Sequence, residues 1–146
     1  MRTLKVEWNE GWKKSPRYRK ASKIDSSFPF QKFRKSAAGL SRAQTSILTQ
    51  LRTGHIALNG YLARIHRADS PLCPSCDTAV EVVHHYLFDC PAYRNEHHLL
   101  SQVLGRKARS LRYLLGNAVG MRELLRYIGR TKRFSKGFSE VLPPDE

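Results

Sequence analysis

All three cysteines of the 146-residue chain, Cys73, Cys76 and Cys90, fall within the stretch CPSCDTAVEVVHHYLFDC, with His84 and His85 between the last two. Cys73-Pro74-Ser75-Cys76 is a C-x2-C pair, the spacing at which a tight turn aims two thiolates at one metal ion. With His85 as third ligand the stretch reads C-x2-C-x8-H-x4-C, three sulfurs and one imidazole, a set that suits tetrahedral Zn²⁺. Four protein ligands leave no open position for water, so the expected zinc is structural rather than catalytic. Buried apolar cysteines or a disulfide are the competing readings. Clustering around histidine speaks against the first. An odd cysteine count, with no secretory signal at the N-terminus, speaks against the second.

The elements that must position these ligands set a geometric condition. Val82, Val83, Tyr86 and Leu87 recur at helical spacing, so His84 and His85 point about 100° apart. Along an unbroken helix His85 and Cys90 would diverge by about 140°, too far to grip one ion. The helix is therefore predicted to end before Cys90, and Pro91 supports the break because proline suits the first turn of a new helix. Cys90 would then take the N-cap position, where backbone N–H groups and the helix dipole favour a thiolate. His85 is preferred as the ligand, with His84 packing beside the site, although the two histidines remain alternatives on spacing alone. His97 and His98, two turns further on, are expected to be surface or core residues.

The run LRTGHIALNGYLARIHRADSPLCPSCDTAVEVVHHYLFDCPAYRNEHHLL resembles the zinc-binding segment that follows the ribonuclease H domain in fungal non-LTR (LINE-type) retrotransposon reverse transcriptase polyproteins. That family's pattern is L-R-T-G-H, then L-N-x-Y-L-x-R-I, a D-S-P-x-C-P-x-C knuckle and V-x-H-F/Y-L-x-x-C-P-x-Y, which here occupies Leu51 to Tyr93. Similarity extends to WKKSPRYRKASKID upstream and LGRKARSLRYLL downstream. The resemblance implies Cys73, Cys76, His85 and Cys90 as zinc ligands, carries over nothing catalytic, and suggests the reverse transcriptase and ribonuclease H domains of a parent polyprotein as partners.

Charge points toward a polyanion. The balance of 26 basic against 12 acidic residues gives +14, with a sequence pI of about 10.2, and nucleic acid (RNA or DNA) is the expected partner. Residues 1–36 carry net +8 and residues 105–136 net +9, whereas 73–104 carry net −3. The metal module is the acidic part, flanked by basic arms that would make the phosphate contacts. Candidate contacts are Lys13, Lys14, Arg17, Arg19 and Lys20 in KKSPRYRKASK, where Tyr18 adds a stacking face. A second set is Arg122, Arg126 and Arg130, recurring every fourth residue. A solvated linker and an ordinary polar helix face are the plain alternatives for these two sets.

The rest of the chain reads as short helices. Leu4, Trp8 and Trp12 form one stripe of an N-terminal helix stopped at Ser15-Pro16. Ser27, Phe28, Phe30 and Phe33 suggest a helical turn. Ser41 and Gln44 fit a capping box for a helix burying Ala43, Ile47, Leu48 and Leu51, closed by Gly54. Asn59 is expected to cap a helix carrying Tyr61, Leu62 and Ile65, with Leu58 packing just before it. A helix from Pro91 carries Tyr93, Leu100, Val103 and Leu104 up to Gly105. Ser110 caps Leu111, Leu114 and Leu115; Asn117 caps Met121, Leu124, Leu125 and Ile128, ended by Gly129. His55, beside Arg52, is read as structural.

The fold class expected is all-α: five to seven short helices with a Cys-Cys-His-Cys zinc knuckle between two of them. The organisation expected is a basic helix and linker over 1–36, a helical zinc domain over 37–134 with the knuckle at 73–90, and an acidic tail over 135–146. Neither a glycine-rich phosphate loop nor a nucleophile elbow is visible, and Glu7, Glu10, Asp77, Glu81, Asp89 and Glu96 form no two-metal carboxylate centre. No stretch is long and apolar enough to cross a membrane. A non-catalytic, zinc-stabilised nucleic-acid-binding segment of an intracellular, nuclear element is the reading that fits. Its alternatives are a scaffold module whose tryptophan stripe docks a ribonuclease H domain or a second copy, and a retroelement relic.

Overall fold

A computed structural model describes residues 2–24 and 31–134. The architecture is all-α, with the Cys-Cys-His-Cys cluster held between helices. Eight α-helices follow one another among the described residues: α1 Arg2–Lys14, α2 Pro16–Ala21, α3 Gln31–Ser36, α4 Arg42–Thr53, α5 Asn59–Arg64, α6 Arg94–Leu104, α7 Leu111–Gly116 and α8 Ala118–Thr131. A π turn at His85–Asp89 and 3-10 turns at Pro91–Tyr93 and Gly105–Arg109 complete the set. Ser27, Phe28, Phe30 and the tail from Ser135 lie outside the described residues.

The centre is α8, against which α6 and α7 pack. Met121, Leu124, Leu125 and Ile128 repeat at helical intervals and are buried, so the stripe faces inward as its spacing requires. Leu114 and Leu115 of α7, Ile47, Leu48 and Leu51 of α4, and Leu100 of α6 fill the space around it. Each fully buried Leu or Ile side chain contributes about 1.5–3 kcal/mol.

Local capping explains where several helices begin. Ser41 and Gln44 form the reciprocal capping box, at 3.1 and 2.9 Å. Ser110 Oγ accepts from the Tyr113 N–H, and Asn117 Oδ1 accepts from Val119 and Gly120. Gly54, at φ 78°, closes α4 in the left-handed conformation. Two expectations fail. Helix α8 passes Gly129 and runs to Thr131, with Lys132 as its C-cap at φ 55°. Ala43 on α4 is only half-buried, and Gln44 is the buried residue beside it.

The basic segment after α1 is a helix rather than a linker. Ser15 caps α2 and Pro16 takes its first position. Basic side chains then bind helix-end carbonyls left without intrahelical donors. Lys20 Nζ donates to Thr53 O at the end of α4 (2.8 Å), and Arg52 donates to Leu115 O near the end of α7 (2.7 Å). Arg112 reaches back to Lys23 O and Ser22 O, while Ser36 Oγ donates to Gly116 O. Helices α2 and α3 are thereby fastened to α4 and α7.

Candidate metal centre

Cys73 and Cys76 sit on a small antiparallel loop. Leu72 pairs with Val80, Cys73 N–H donates to Ala79 O and Glu81 N–H donates to Pro71 O, at 2.8 and 2.9 Å. Asp77, at φ 54°, turns the chain back after Cys76. His85 and Cys90 arrive from the following π turn.

That turn resolves the angular conflict noted from the sequence. Cys90 N–H donates to His85 O at 2.8 Å, an i→i+5 bond that places residues five apart over one another. The widened turn brings His85 beside the cysteines and also joins His84 to Asp89, Nδ1 to Oδ2, at 2.8 Å. His84 is thus turned outward, packed edge-on against Phe88, while His85 is buried. Pro91 opens the 3-10 turn that follows, with Cys90 at its N-cap.

One ligand atom from each of Cys73, Cys76, His85 and Cys90 lies within 4.8 Å of the others, an arrangement able to hold a metal ion. Cys73 Sγ and Cys90 Sγ are 3.8 Å apart, and Cys76 Sγ is 3.4 Å from His85 Nε2. All three cysteines are free, so the disulfide reading is set aside.

The thiols are not equivalent. Hydrogen bonding from Thr78 brings Cys76 down to about 6. Burial pushes Cys73 up, and pushes Cys90 up to about 12, aided by the neighbouring Cys73 sulfur. Cys90 does take the N-cap position and the Ala92 N–H favours its thiolate as expected, but burial outweighs that backbone contribution. A metal must therefore displace protons from Cys73 and Cys90, whereas Cys76 is already thiolate at neutral pH. Loading an ion at pH 7–8 is expected to release about two protons, so affinity rises with pH across this range. Calorimetry in buffers of different protonation enthalpy measures this; an affinity independent of pH between 7 and 8 would contradict it.

A polar layer behind the cluster joins residues far apart in the chain. Glu81 is fully buried, yet its carboxylate accepts Arg133 Nε at 2.9 Å and Nη2 at 2.7 Å, and Asn59 N–H at 2.7 Å. The Cys73 thiol also donates to it at 3.7 Å. Asn59 consequently does not cap α5. Leu58 holds that position, the Asn59 side chain donates to Leu72 O, and its backbone N–H is taken by Glu81. A carboxylate inside the apolar run AVEVV was the available signal, since buried charge demands a partner. Arg133, 52 residues away, carried none.

Gly60 closes this layer. Its N–H donates to Glu81 O at 2.9 Å, and a Cβ there would lie 2.6 Å from that same oxygen. Gly60→Ala is expected to cost about 1–3 kcal/mol by forcing the knuckle away from α5. A denaturant midpoint unchanged from the parent chain would rule this out.

Beneath the cluster, Tyr86, Tyr93, Tyr127 and Phe134 pack edge to face at 5.4–6.5 Å. Each of the three tyrosine hydroxyls has a partner: Tyr86 with Thr131, Tyr93 with Ser75, and Tyr127 donating to Tyr86 O while meeting His97 Nε2. His97 stacks parallel to Tyr127, and burial lowers its pKa. His98 is exposed beside Gln102.

Lys13, Lys14, Arg17, Arg19 and Lys20 are all exposed, on the end of α1 and on α2. On α8, Arg122 and Arg130 are exposed, but Arg126 is half-buried against Glu123, so the ridge has a neutralised middle. His55 stacks on Tyr61 at 5.3 Å. No helix among the described residues is long and apolar enough to cross a membrane. Neither a family model, nor a curated protein, nor a solved structure matches the chain.

Proposed function

We propose that the cluster binds one structural Zn²⁺ and that the chain is a non-catalytic nucleic-acid-binding segment, of the kind that follows the ribonuclease H domain in fungal non-LTR retrotransposon polyproteins. The observation that carries the metal assignment is the spacing of the donors. Zn–S bonds of about 2.3 Å and Zn–N bonds of about 2.0–2.1 Å at the tetrahedral angle imply S···S edges near 3.8 Å and S···N edges near 3.6 Å. The pairs Cys73–Cys90 and Cys76–His85 stand at 3.8 and 3.4 Å. Three sulfurs and an imidazole select zinc over the hard, oxygen-seeking cations.

Nucleic acid is supported by the net charge of +14 and by the exposed cations on α1, α2 and α8. Bound cations release counterions, so affinity should fall steeply with salt, with log K falling by about 0.7 per neutralised phosphate for each decade of salt on single strands and about 0.9 on duplexes. Gel-shift titrations at two salt concentrations test this; absence of binding at low salt refutes it. Protein docking is the second reading, favoured by Leu4, Val6 and Trp8 on α1, exposed at 65, 53 and 72%. Self-association abolished by Trp8→Ser, without nucleic-acid binding, would establish that alternative.

A further inference from the structure

Helices α1 to α4 border a groove of about 570 Å³, within the range of sites that take small organic groups. Its lining joins two kinds of residue. Trp12 and Phe33, both half-buried, present aromatic surface, while Arg17, Lys20, Arg34 and Arg52 supply four cations. Among the described residues no Asp or Glu lines it. Aromatic surface and cations thus share one lining, with Phe33 also packing against the core.

The parts are held in place. Arg52 lies over the Phe33 ring at 4.2 Å and is anchored to Leu115 O, so a guanidinium plane and an aromatic plane are already paired. Trp12 meets Tyr18 edge-on at 6.1 Å. Lys20 is fixed on Thr53 O, which spans the groove from α2 to α4. A second, more open depression beside α1 shares Trp12 and Arg17 and is also lined by Glu7 and Trp8.

We propose that this groove seats a nucleotide of a single-stranded nucleic acid, its base against Trp12 beside the Arg52–Phe33 pair and its flanking phosphates against Arg17 and Arg34. Planar apolar faces among cations suit a base carried on a phosphodiester, whereas duplex DNA keeps its base faces stacked away. This rests on the nucleic-acid reading above and assigns it a location and a strand preference.

The test uses the full, metal-loaded chain with two fluorescent probes of equal length, an oligothymidylate and an abasic phosphodiester. The base-bearing probe is expected to bind about tenfold more tightly, in keeping with one stacked base. Trp12→Leu should erase that difference while leaving abasic affinity unchanged, and Arg17→Gln with Arg34→Gln should weaken both probes and flatten the salt slope. In a Trp8→Phe background Trp12 is the sole tryptophan, and its emission should be quenched by oligothymidylate but not by the abasic chain. Equal affinity for the two probes with no quenching overturns the groove while leaving nucleic-acid binding intact. Failure to bind either probe at low salt overturns both.

Discussion

Removing the metal with a chelator at neutral pH is expected to dissolve the fold from Asp69 to Leu104 and to loosen α8 with it. A Cys3His zinc site supplies about 10–16 kcal/mol of apparent binding free energy, against a net stability of about 5–15 kcal/mol for a small domain. Without an ion the knuckle keeps the Leu72–Val80 bridge and hydrogen bonds to Asn59, Gly60, Tyr93 and Arg133, but no disulfide joins its ligands. The turn His85–Asp89 that leads to Cys90 is only five residues long. Disorder there would spread, because Tyr86 bonds Thr131, Tyr127 bonds Tyr86 O and Glu81 bonds Arg133. The signal to follow is near-ultraviolet circular dichroism of the buried tyrosines, which should collapse with chelation and return on adding Zn²⁺. Retention of a sharp thermal transition in the chelated chain would show that the core stands without the cluster.

The second large effect concerns the ion pair behind the cluster. Glu81 has no exposed surface and the Arg133 side chain is 19% exposed, so deleting either partner strands a charge that water reaches poorly. Arg133→Leu is expected to cost about 3–5 kcal/mol, and Glu81→Leu somewhat less because the stranded Arg133 retains some solvent. Replacing both with leucine should recover much of the loss, since a buried pair and an apolar pair of similar volume differ little in stability. Arg133→Leu should also weaken metal binding, because an uncompensated carboxylate would face the Cys73 sulfur, whose thiol is 3.7 Å from Glu81. Denaturant titrations of the two singles and the double, with a chelator-competition assay, check both effects. Additive losses in the double variant would mean that the pair is not coupled.

What could be read from the chain is local chemistry. Ser41, Ser110 and Asn117 cap the helices assigned to them because a capping side chain bonds an N–H two or three residues away. The stripe on α8 is legible because its period is that of the helix, and the ligand set is legible because metal geometry restricts spacing. The π turn is only half legible: the angular argument demands a departure from the helix between His85 and Cys90 without specifying its form. Asn59, Glu81 and Arg133 were hidden for the opposite reason. Their roles arise from contacts across 22 and 52 residues, where a buried carboxylate outbids the usual capping preference. The groove of Trp12 and Phe33 is likewise assembled from residues of α1, α2, α3 and α4, with no motif of its own.

Native mass spectrometry of the chain purified without added metal, followed by replacement with Co²⁺, tests the four-ligand site most directly. The account predicts one tightly held zinc per chain. It also predicts a cobalt form with strong visible absorption from tetrahedral geometry and thiolate charge transfer, both lost in Cys90→Ser and His85→Ala but kept in His84→Ala. A chain that leaves the column without zinc and gives only the pale spectrum of six-coordinate cobalt would contradict it.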